Sequence, residues 1–474
     1  MRLLLLGDFG GAAATRPALK ERRVHRVDVD LLDTVMQRVA PRIELGLGTA
    51  GCLFAPQSLD DFHPDRLLVL LPPLAHALDR LQRLQASATF AQAAAEMNLP
   101  AAAAQPATQT ATLPAAAPLA PALGDDLLGQ LLGGKVGPAA AAPVAAGRAP
   151  AAAAAQGIEA FVRSIVAPQA VAPAPANQAV YVAAARAELG DLLRAVLHAP
   201  AFAALESAWR SVHFLVNRLE LDDLLQVHLL DAPKAELVAD IVAAGGHIEN
   251  TGLCEAALHR WCAPATGERC AALVTLHEFG SSDTDIGLLA ALGMLAARMG
   301  APVIAGGSLT LADVQAPGAA SWQALRRSEV APWVALVAPR LLLRLPYGKG
   351  YEAVERLAFE ELPATSGPAG FVWGSGALAA AWSLGQAFAA DGWQGDVAQA
   401  REVDDLPAYT HVLADGEREL QACAEVFLSE QVLDGLLAGG LMPLASHRHR
   451  NAATLLRWQS VALPPQALRG LPGA

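Results

Sequence analysis

Hydrophobic positions along this chain fall into short uninterrupted runs and into helical spacings, with a long stretch between that shows neither. Arg2 to Leu6 is a compact apolar run that reads as a buried strand, with Gly7-Asp8-Phe9-Gly10-Gly11 as the turn after it. Leu31, Leu32, Val35, Met36 and Val39 recur at helical spacing, with Asp28 and Asp30 as cap residues. Arg42 to Leu47 and Gly51 to Phe54 read as two short strands joined by a glycine-rich turn. Ser58-Leu-Asp-Asp61 has capping-box spacing, and Leu67 to Leu84 continues as one amphipathic helix.

From about residue 157 the pattern is that of a larger globular region. Val182–Leu197 and Phe202–Val216 read as two helices broken at Pro200. Leu225–Leu230 alternates as a strand, and a helix follows from Lys234 to Val242. Ala271–Leu276, Ala301–Ala305 and Trp333–Val337 are short apolar strands with helices between them, for example Asp283–Met299. Alternation at this pitch predicts an α/β fold, a mixed sheet covered by helices, with α+β as the alternative. The chain shows no internal repeat.

Between these parts, from about Leu99 to Gln156, alanine and proline dominate and aromatic residues vanish. Such a tract buries too little apolar area to offset the entropy of ordering it, and proline excludes a continuous helix. As a coil it would reach on the order of 40 Å. One amphipathic island interrupts it at residues 124–133, offering Leu127, Leu128, Leu131 and Leu132.

Charge and composition narrow the function further. With 34 Lys+Arg against 46 Asp+Glu, the net charge of −12 argues against a nucleic-acid-binding surface. The mean hydropathy of +0.32 owes much to alanine, and the true apolar runs, such as Gly287–Ala297, are too short for a bilayer. Met1-Arg2 followed by four leucines meets Gly7-Asp8 at once, so it is a strand rather than a signal peptide. Cys254, Cys262 and Cys270 lack zinc-ligand spacing, and the five cysteines read as free or buried thiols of a cytosolic protein.

No motif carries a recognisable chemistry. The chain has no phosphate-binding Gly-x-x-x-x-Gly-Lys loop, and Gly46-Leu-Gly-Thr-Ala-Gly51 leads into a strand, which makes it a hairpin turn. His277-Glu278 lacks the second histidine of a zinc-protease helix, and Trp373-Gly-Ser-Gly376 is not a hydrolase elbow. Asp283 and Asp285 suit the first turn of a helix. His447-Arg-His-Arg450 is a small basic run. Arg340-Leu-Leu-Leu-Arg344 before Pro346-Tyr-Gly348 reads either as an element edge whose arginines pair with acids or as a subunit contact.

Two groups of motifs resemble proteins of the type VI secretion contractile sheath. Leu6-Gly-Asp-Phe9 and Leu59-Asp-Asp-Phe-His-Pro-Asp65 resemble the small sheath subunit, TssB (VipA, ImpB). Leu205-Glu-Ser-Ala-Trp-Arg210 with His213-Phe-Leu-Val216, Phe279-Gly-Ser-Ser282 before Ile286, and Trp322–Glu329 resemble the large subunit, TssC (VipB, ImpC, EvpB). So do Pro339-Arg-Leu-Leu-Leu-Arg-Leu-Pro-Tyr-Gly348, Phe359-Glu-Glu361, Trp373-Gly374 and Glu402–Pro407, in the family's order. The resemblance implies a fused pair: a small-subunit-like part at residues 1–95, the Ala/Pro linker at 96–156 and a large-subunit-like domain at 157–474.

It implies a non-enzymatic component of the apparatus, bacterial and cytoplasmic, without cofactor, metal, catalytic residue, nucleic acid or membrane insertion. The family's terminal arms are not recognisable before Arg2 or after Asn451-Ala-Ala-Thr454. The expectation is therefore an accessory role, docked on sheath or baseplate, with a protomer that polymerises around the inner tube as the alternative and an α/β enzyme a remote third. The two parts are expected to pair within the chain. Trp209, Arg210, His213, Arg340, Arg344 and Tyr347 are the interface candidates. The island Leu127, Leu128, Leu131 and Leu132 resembles the large-subunit helix bound by the ClpV unfoldase.

Overall fold

Fifteen strands organise the computed structural model, which describes residues 1–47, 51–97, 177–262, 270–313, 318–362, 370–412 and 417–471. In chain order they are β1 (Arg2–Gly7), β2 (His25–Val27), β3 (Ile43–Leu45), β4 (Cys52–Phe54), β5 (Gln226–Asp231), β6 (Cys270–Phe279), β7 (Val303–Gly307) and β8 (Val334–Ala338). There follow β9 (Leu341–Arg344), β10 (Val372–Gly374), β11 (Glu402–Val403), β12 (Thr410–Val412), β13 (Arg418–Leu420), β14 (Met442–Ser446) and β15 (Ala453–Leu455). The island carrying Leu127, Leu128, Leu131 and Leu132 lies outside the described residues.

Nine strands form one mixed sheet in the order β11-β15-β14-β8-β7-β6-β1-β5-β2. The expected α/β architecture is what the chain adopts. β1 lies inside this sheet. It runs parallel to β5 from Arg2↔Gln226 to Gly7↔Asp231, and parallel to β6 from Arg2↔Cys270 to Leu6↔Thr275. A strand flanked on both sides and covered on both faces has no solvent face, so its sequence is a continuous apolar run rather than an alternation. Leu3, Leu4, Leu5 and Leu6 are accordingly all fully buried.

The two faces carry different partners. Leu4, Leu6, Leu273, Val303, Ala305 and Val334 share one core with Ile286, Leu289, Leu292 and Leu295 of the helix Asp283–Met299. Alternate residues such as Leu3, Leu5, Val274 and Ile304 point the other way. The helix Ala377–Asp391 also packs on β6, β7 and β8. The helix Asp283–Met299 has the bounds that its sequence predicts. The Ser282 hydroxyl accepts from the Asp285 N–H at 3.2 Å, and Gly300 ends the helix in the left-handed region at φ 67°.

One expected element is divided. The predicted helix Leu67–Leu84 is two helices, Pro64–Leu70 and Pro72–Gln85, with Leu71 extended between them at φ −96° and ψ 113°. Pro72 and Pro73 have no N–H to give, and the proline ring drives the preceding residue out of the helical region. β3 and β4 form the expected antiparallel pair, from Ile43↔Phe54 to Leu45↔Cys52.

The chain divides into two compact units. One comprises Met1–Asp79 and Arg186–Ala474, and the other Arg80–Ala185. Within the second, the Phe90 and Tyr181 rings meet edge to face at 5.6 Å, and Arg83 pairs with Glu96 at 2.8 Å. The Gln178 amide donates to the Leu84 carbonyl at 2.7 Å.

The position of β1 generates a test. A chain cut at a protease site engineered between residues 99 and 156 should yield two fragments that co-elute under native conditions and separate only in denaturant. Clean separation in native buffer would mean that β1 is not held between β5 and β6.

Candidate interface site

The turn after β1 is where residues distant in sequence converge. Asp231, at the end of β5, accepts from the Phe9 N–H at 2.8 Å and the Gly10 N–H at 3.0 Å through one carboxylate oxygen. Its other oxygen accepts from Arg16 Nε at 2.6 Å, and Arg16 also pairs with Asp8. Arg22 donates to the Asp231 carbonyl at 2.6 Å and pairs with Glu236 at 2.7 Å. Glycine is required here. A Cβ on Gly10 would lie 2.9 Å from Asp231 Oδ2, and Gly11 sits at φ +73° with Ile43 Cγ2 2.6 Å from its missing Cβ.

Trp209 closes this turn from the helix Pro200–Arg218. It is fully buried, its indole N–H donates to the Phe9 carbonyl at 2.9 Å, and its ring meets Phe9 edge to face at 5.5 Å. Around the same helix, Phe202 packs with Phe54 and Phe62 at 5.3 and 5.4 Å. An aromatic ring contributes both area and direction to such a contact.

The helix holds a charged cluster as well. Arg344, buried at the end of β9, donates to Glu206 at 2.6 Å and to Glu361 at 2.7 Å. Arg210 donates to Glu206 at 2.7 Å, one helical turn on, and to the Tyr347 hydroxyl at 2.9 Å. The Tyr347 N–H donates to Glu361 at 2.8 Å, and the Arg344 guanidinium lies 4.2 Å from the Tyr347 ring centre. His198 approaches Glu361 at 3.5 Å, and the His63 and Tyr347 rings meet at 5.0 Å.

Burial by itself would push the two carboxyls up. Arg344 and Arg210 overcome it at Glu206 and hold that group below the carboxylate range. At Glu361, hydrogen bonds from His198 and Arg344 bring the value down to about 2. Burial pushes the Tyr347 hydroxyl well up, so Tyr347 stays neutral. Charges this deep are tolerated only when paired.

Arg210, Arg344 and Tyr347 thus come together, with Trp209 one position before Arg210. His213 lies beside Arg210 at a cavity of about 760 Å³ also lined by Arg218, Tyr351, Asp405 and Asn451. Arg340 stands apart. It forms a forked pair with Glu425 (Nε to Oε2, 3.0 Å) and lines a second cavity of about 450 Å³ with Asp8, Ser207, His277, Glu278 and Ser375. There the Ser207 hydroxyl donates to the Trp373 carbonyl at 2.7 Å, and His277 Nε2 faces the Ala232 carbonyl at 2.8 Å. Glu278 is open to the cavity but recessed, and burial pushes its carboxyl up to about 7. Among the described residues, no group of three His, Cys, Asp or Glu side chains is arranged to hold a metal.

Asp231, Glu206 and Glu361 were not singled out in the sequence. Glu206 and Glu361 lie inside quoted motifs, and the Glu206/Arg210 spacing of four was a signal for their pairing. Asp231 carried no signal, because its partners are far away in the chain.

The fold and the clamped turn describe an α/β protein whose main sheet takes strands from both the N-terminal and the later parts of the chain. Comparison with known proteins names the class. The family model for the VipB (EvpB) tail sheath N-terminal domain matches residues 180–317 and 312–462, and that for VipA of the type VI secretion system matches residues 1–99. The chain belongs to the tail sheath family of type VI secretion. It is similar to the type VI secretion system sheath protein TssC1 of Pseudomonas aeruginosa, 29% identical over 305 residues, 60% of this chain and 61% of that protein. The match therefore spans about three-fifths of that relative's length. Among the described residues no helix is long and apolar enough to cross a membrane.

Two consequences can be measured. Trp209→Ala removes a fully buried ring and an indole hydrogen bond, and should lower stability by about 3–5 kcal/mol in denaturant titration. A loss under 1 kcal/mol would place the ring outside the core. Glu361, with a folded pKa of about 2, lies below the usual glutamate value, so its contribution is complete above that value. It should be lost as pH falls from about 4.3 towards 2. Glu361→Gln should be less stable at neutral pH and lose less across that window, followed by tryptophan fluorescence. Parallel pH profiles for the two proteins would count against the pairing.

Proposed function

We propose that this chain is a non-enzymatic structural component of the type VI secretion apparatus, a single folded unit of VipA-type and VipB-type segments that docks on sheath or baseplate proteins in the bacterial cytoplasm. The observation that carries the reading is β1, from the VipA-type segment, lying between β5 and β6 of the VipB-type segment. Joining the segments on one chain holds them at an effective concentration of roughly millimolar and fixes their ratio.

Two further features bear on this reading. Among the described residues the nine-stranded sheet ends in β11, of two residues, and β2, of three. Short edge strands offer little to a neighbour's backbone. In the second cavity the Ser207 hydroxyl and His277 Nε2 each face a backbone carbonyl, so these two groups are not paired as nucleophile and base. Recognition by the ClpV unfoldase through Leu127, Leu128, Leu131 and Leu132 belongs to the same reading and rests on sequence pattern alone.

Electron microscopy of the purified full chain, alone and mixed with sheath and baseplate proteins, tests this. Discrete particles alone, and bound particles on the larger assembly, are expected. Regular helical filaments from the chain alone would replace docking by a polymerising protomer. Discrete particles that bind neither assembly would remove the apparatus role.

A further inference from the structure

The second cavity lies at the carboxyl ends of the parallel strands β1, β6 and β8. Asp8 enters it just after β1, Glu278 near the end of β6 and Arg340 just after β8. β1 and β6 are neighbours in the sheet, yet the chain continues from β1 towards β2 at one edge and from β6 to β7 on the opposite side. Ligand crevices of α/β sheets form at such reversals, outside the carboxyl ends of the strands. The sheet is also bulged here. β6 and β7 pair at Val274↔Ile304 and again at Glu278↔Gly306, so Thr275, Leu276 and His277 stand where β7 has Ala305 alone. A bulge re-aims the side chains beside it, and Glu278 lines the cavity.

The charges around Glu278 are already paired. Asp8 is bound to Arg16, Arg340 to Glu425, and Lys234 to Asp285 at 2.7 Å. Burial holds His277 below the usual histidine value, which keeps it neutral near pH 7. Among the described residues the Glu278 carboxyl makes no hydrogen bond or ion pair; only its backbone carbonyl is used, accepting from Lys234 Nζ at 2.6 Å. One unbalanced carboxylate therefore faces the cavity. A Cβ on Gly306 would lie 3.0 Å from Glu278 Oε1 and 2.6 Å from Ser375 Oγ, so the glycine lets these two oxygens converge. Ser375 Oγ accepts from the Ala377 N–H at 3.3 Å and keeps a second lone pair.

We propose that this cavity binds a primary ammonium group carried on an apolar stem, with Glu278 as its counter-charge and Ser375 Oγ as a second acceptor. The walls suit such a stem. Ala203, Ala204, Ser207 and Ala208 line the cavity from one face of the helix Pro200–Arg218, and these small side chains leave about 450 Å³ open. Phe371 and Trp373 add aromatic rings, which attract a cation as well as its stem. Burial pushes the Glu278 carboxyl up to about 7; Arg340 and Lys234 oppose the rise and Glu425 adds to it. A cation arriving in the cavity supplies the missing partner and holds Glu278 ionised. An anion would meet the unbalanced carboxylate, because the Arg340 guanidinium is already forked onto Glu425.

Saturation-transfer NMR titration of the full chain tests this with three probes: n-pentylamine, Nα-acetyl-lysine amide, and 1-pentanol as the uncharged control. The amines should bind about tenfold more tightly at pH 8 than at pH 6, because Glu278 ionises across that window while an alkylamine stays charged throughout. Glu278→Gln should abolish this pH dependence and weaken amine binding at pH 8 by at least about tenfold. Ala204→Phe narrows the cavity from the helix surface without altering Glu278, and should also weaken binding. Tighter binding of n-pentylamine would identify a free amine as the ligand, and tighter binding of the lysine amide a lysine side chain. No binding of either amine, equal binding of 1-pentanol, or amine binding unchanged by Glu278→Gln would overturn the proposal.

Discussion

The placement of β1 between β5 and β6 is the constraint on which the rest of the structure depends. A parallel strand inside a sheet needs hydrogen-bonding neighbours on both edges and apolar cover on both faces. Six residues at the start of the chain obtain their neighbours from segments that begin at Gln226 and Cys270. Removing β1 would expose the edges of two strands and uncover Leu273, Val274, Leu229 and Leu230, all fully buried in its presence. The VipA-type and VipB-type segments are therefore parts of one core rather than two cores in contact.

The turn after β1 makes that placement specific. Apolar burial alone would tolerate a slip in register, but Asp231 accepts from two consecutive backbone N–H groups and from Arg16 at once. Those bonds form at one register only. Trp209 adds a third direction, because its N–H must reach the Phe9 carbonyl while its ring packs on the Phe9 side chain. Polar bonds in a buried place contribute less to net stability than to the choice among similar packings, since each unmade one carries a desolvation cost.

The Arg344 cluster joins three stretches of the VipB-type segment in the same manner. The helix Pro200–Arg218 supplies Glu206 and Arg210, β9 supplies Arg344, and Glu361 comes from the segment beyond Tyr347. Two carboxylates and two guanidinium groups leave no net charge in the interior, and each polar arm has a partner. Loss of any one member would strand a charge, so the cluster fixes how the helix sits against β9. The motif Pro339–Gly348, whose arginines stand four apart, serves two places: Arg344 points into this cluster, and Arg340 pairs with Glu425 at another cavity.

Local pattern by itself determined β1, β3 to β8 and the long helices among them. The unbroken leucines of β1, the cap and left-handed exit of the helix Asp283–Met299, and the strand–helix alternation after residue 200 are written in short-range chemistry. So are the family motifs, down to Glu206 and Glu361 within them. Tertiary structure decided the rest. Nothing in Arg2–Gly7 names its neighbours, because parallel pairing is a relation between strands more than two hundred residues apart. The break at Leu71, by contrast, is local: it is written in Pro72 and Pro73, and apolar periodicity read alone misses it. The convergence of Glu206, Arg210, Arg344 and Glu361 exists only once the sheet has formed. Charge pairing depends on distance in space, and a sequence records distance only along the chain.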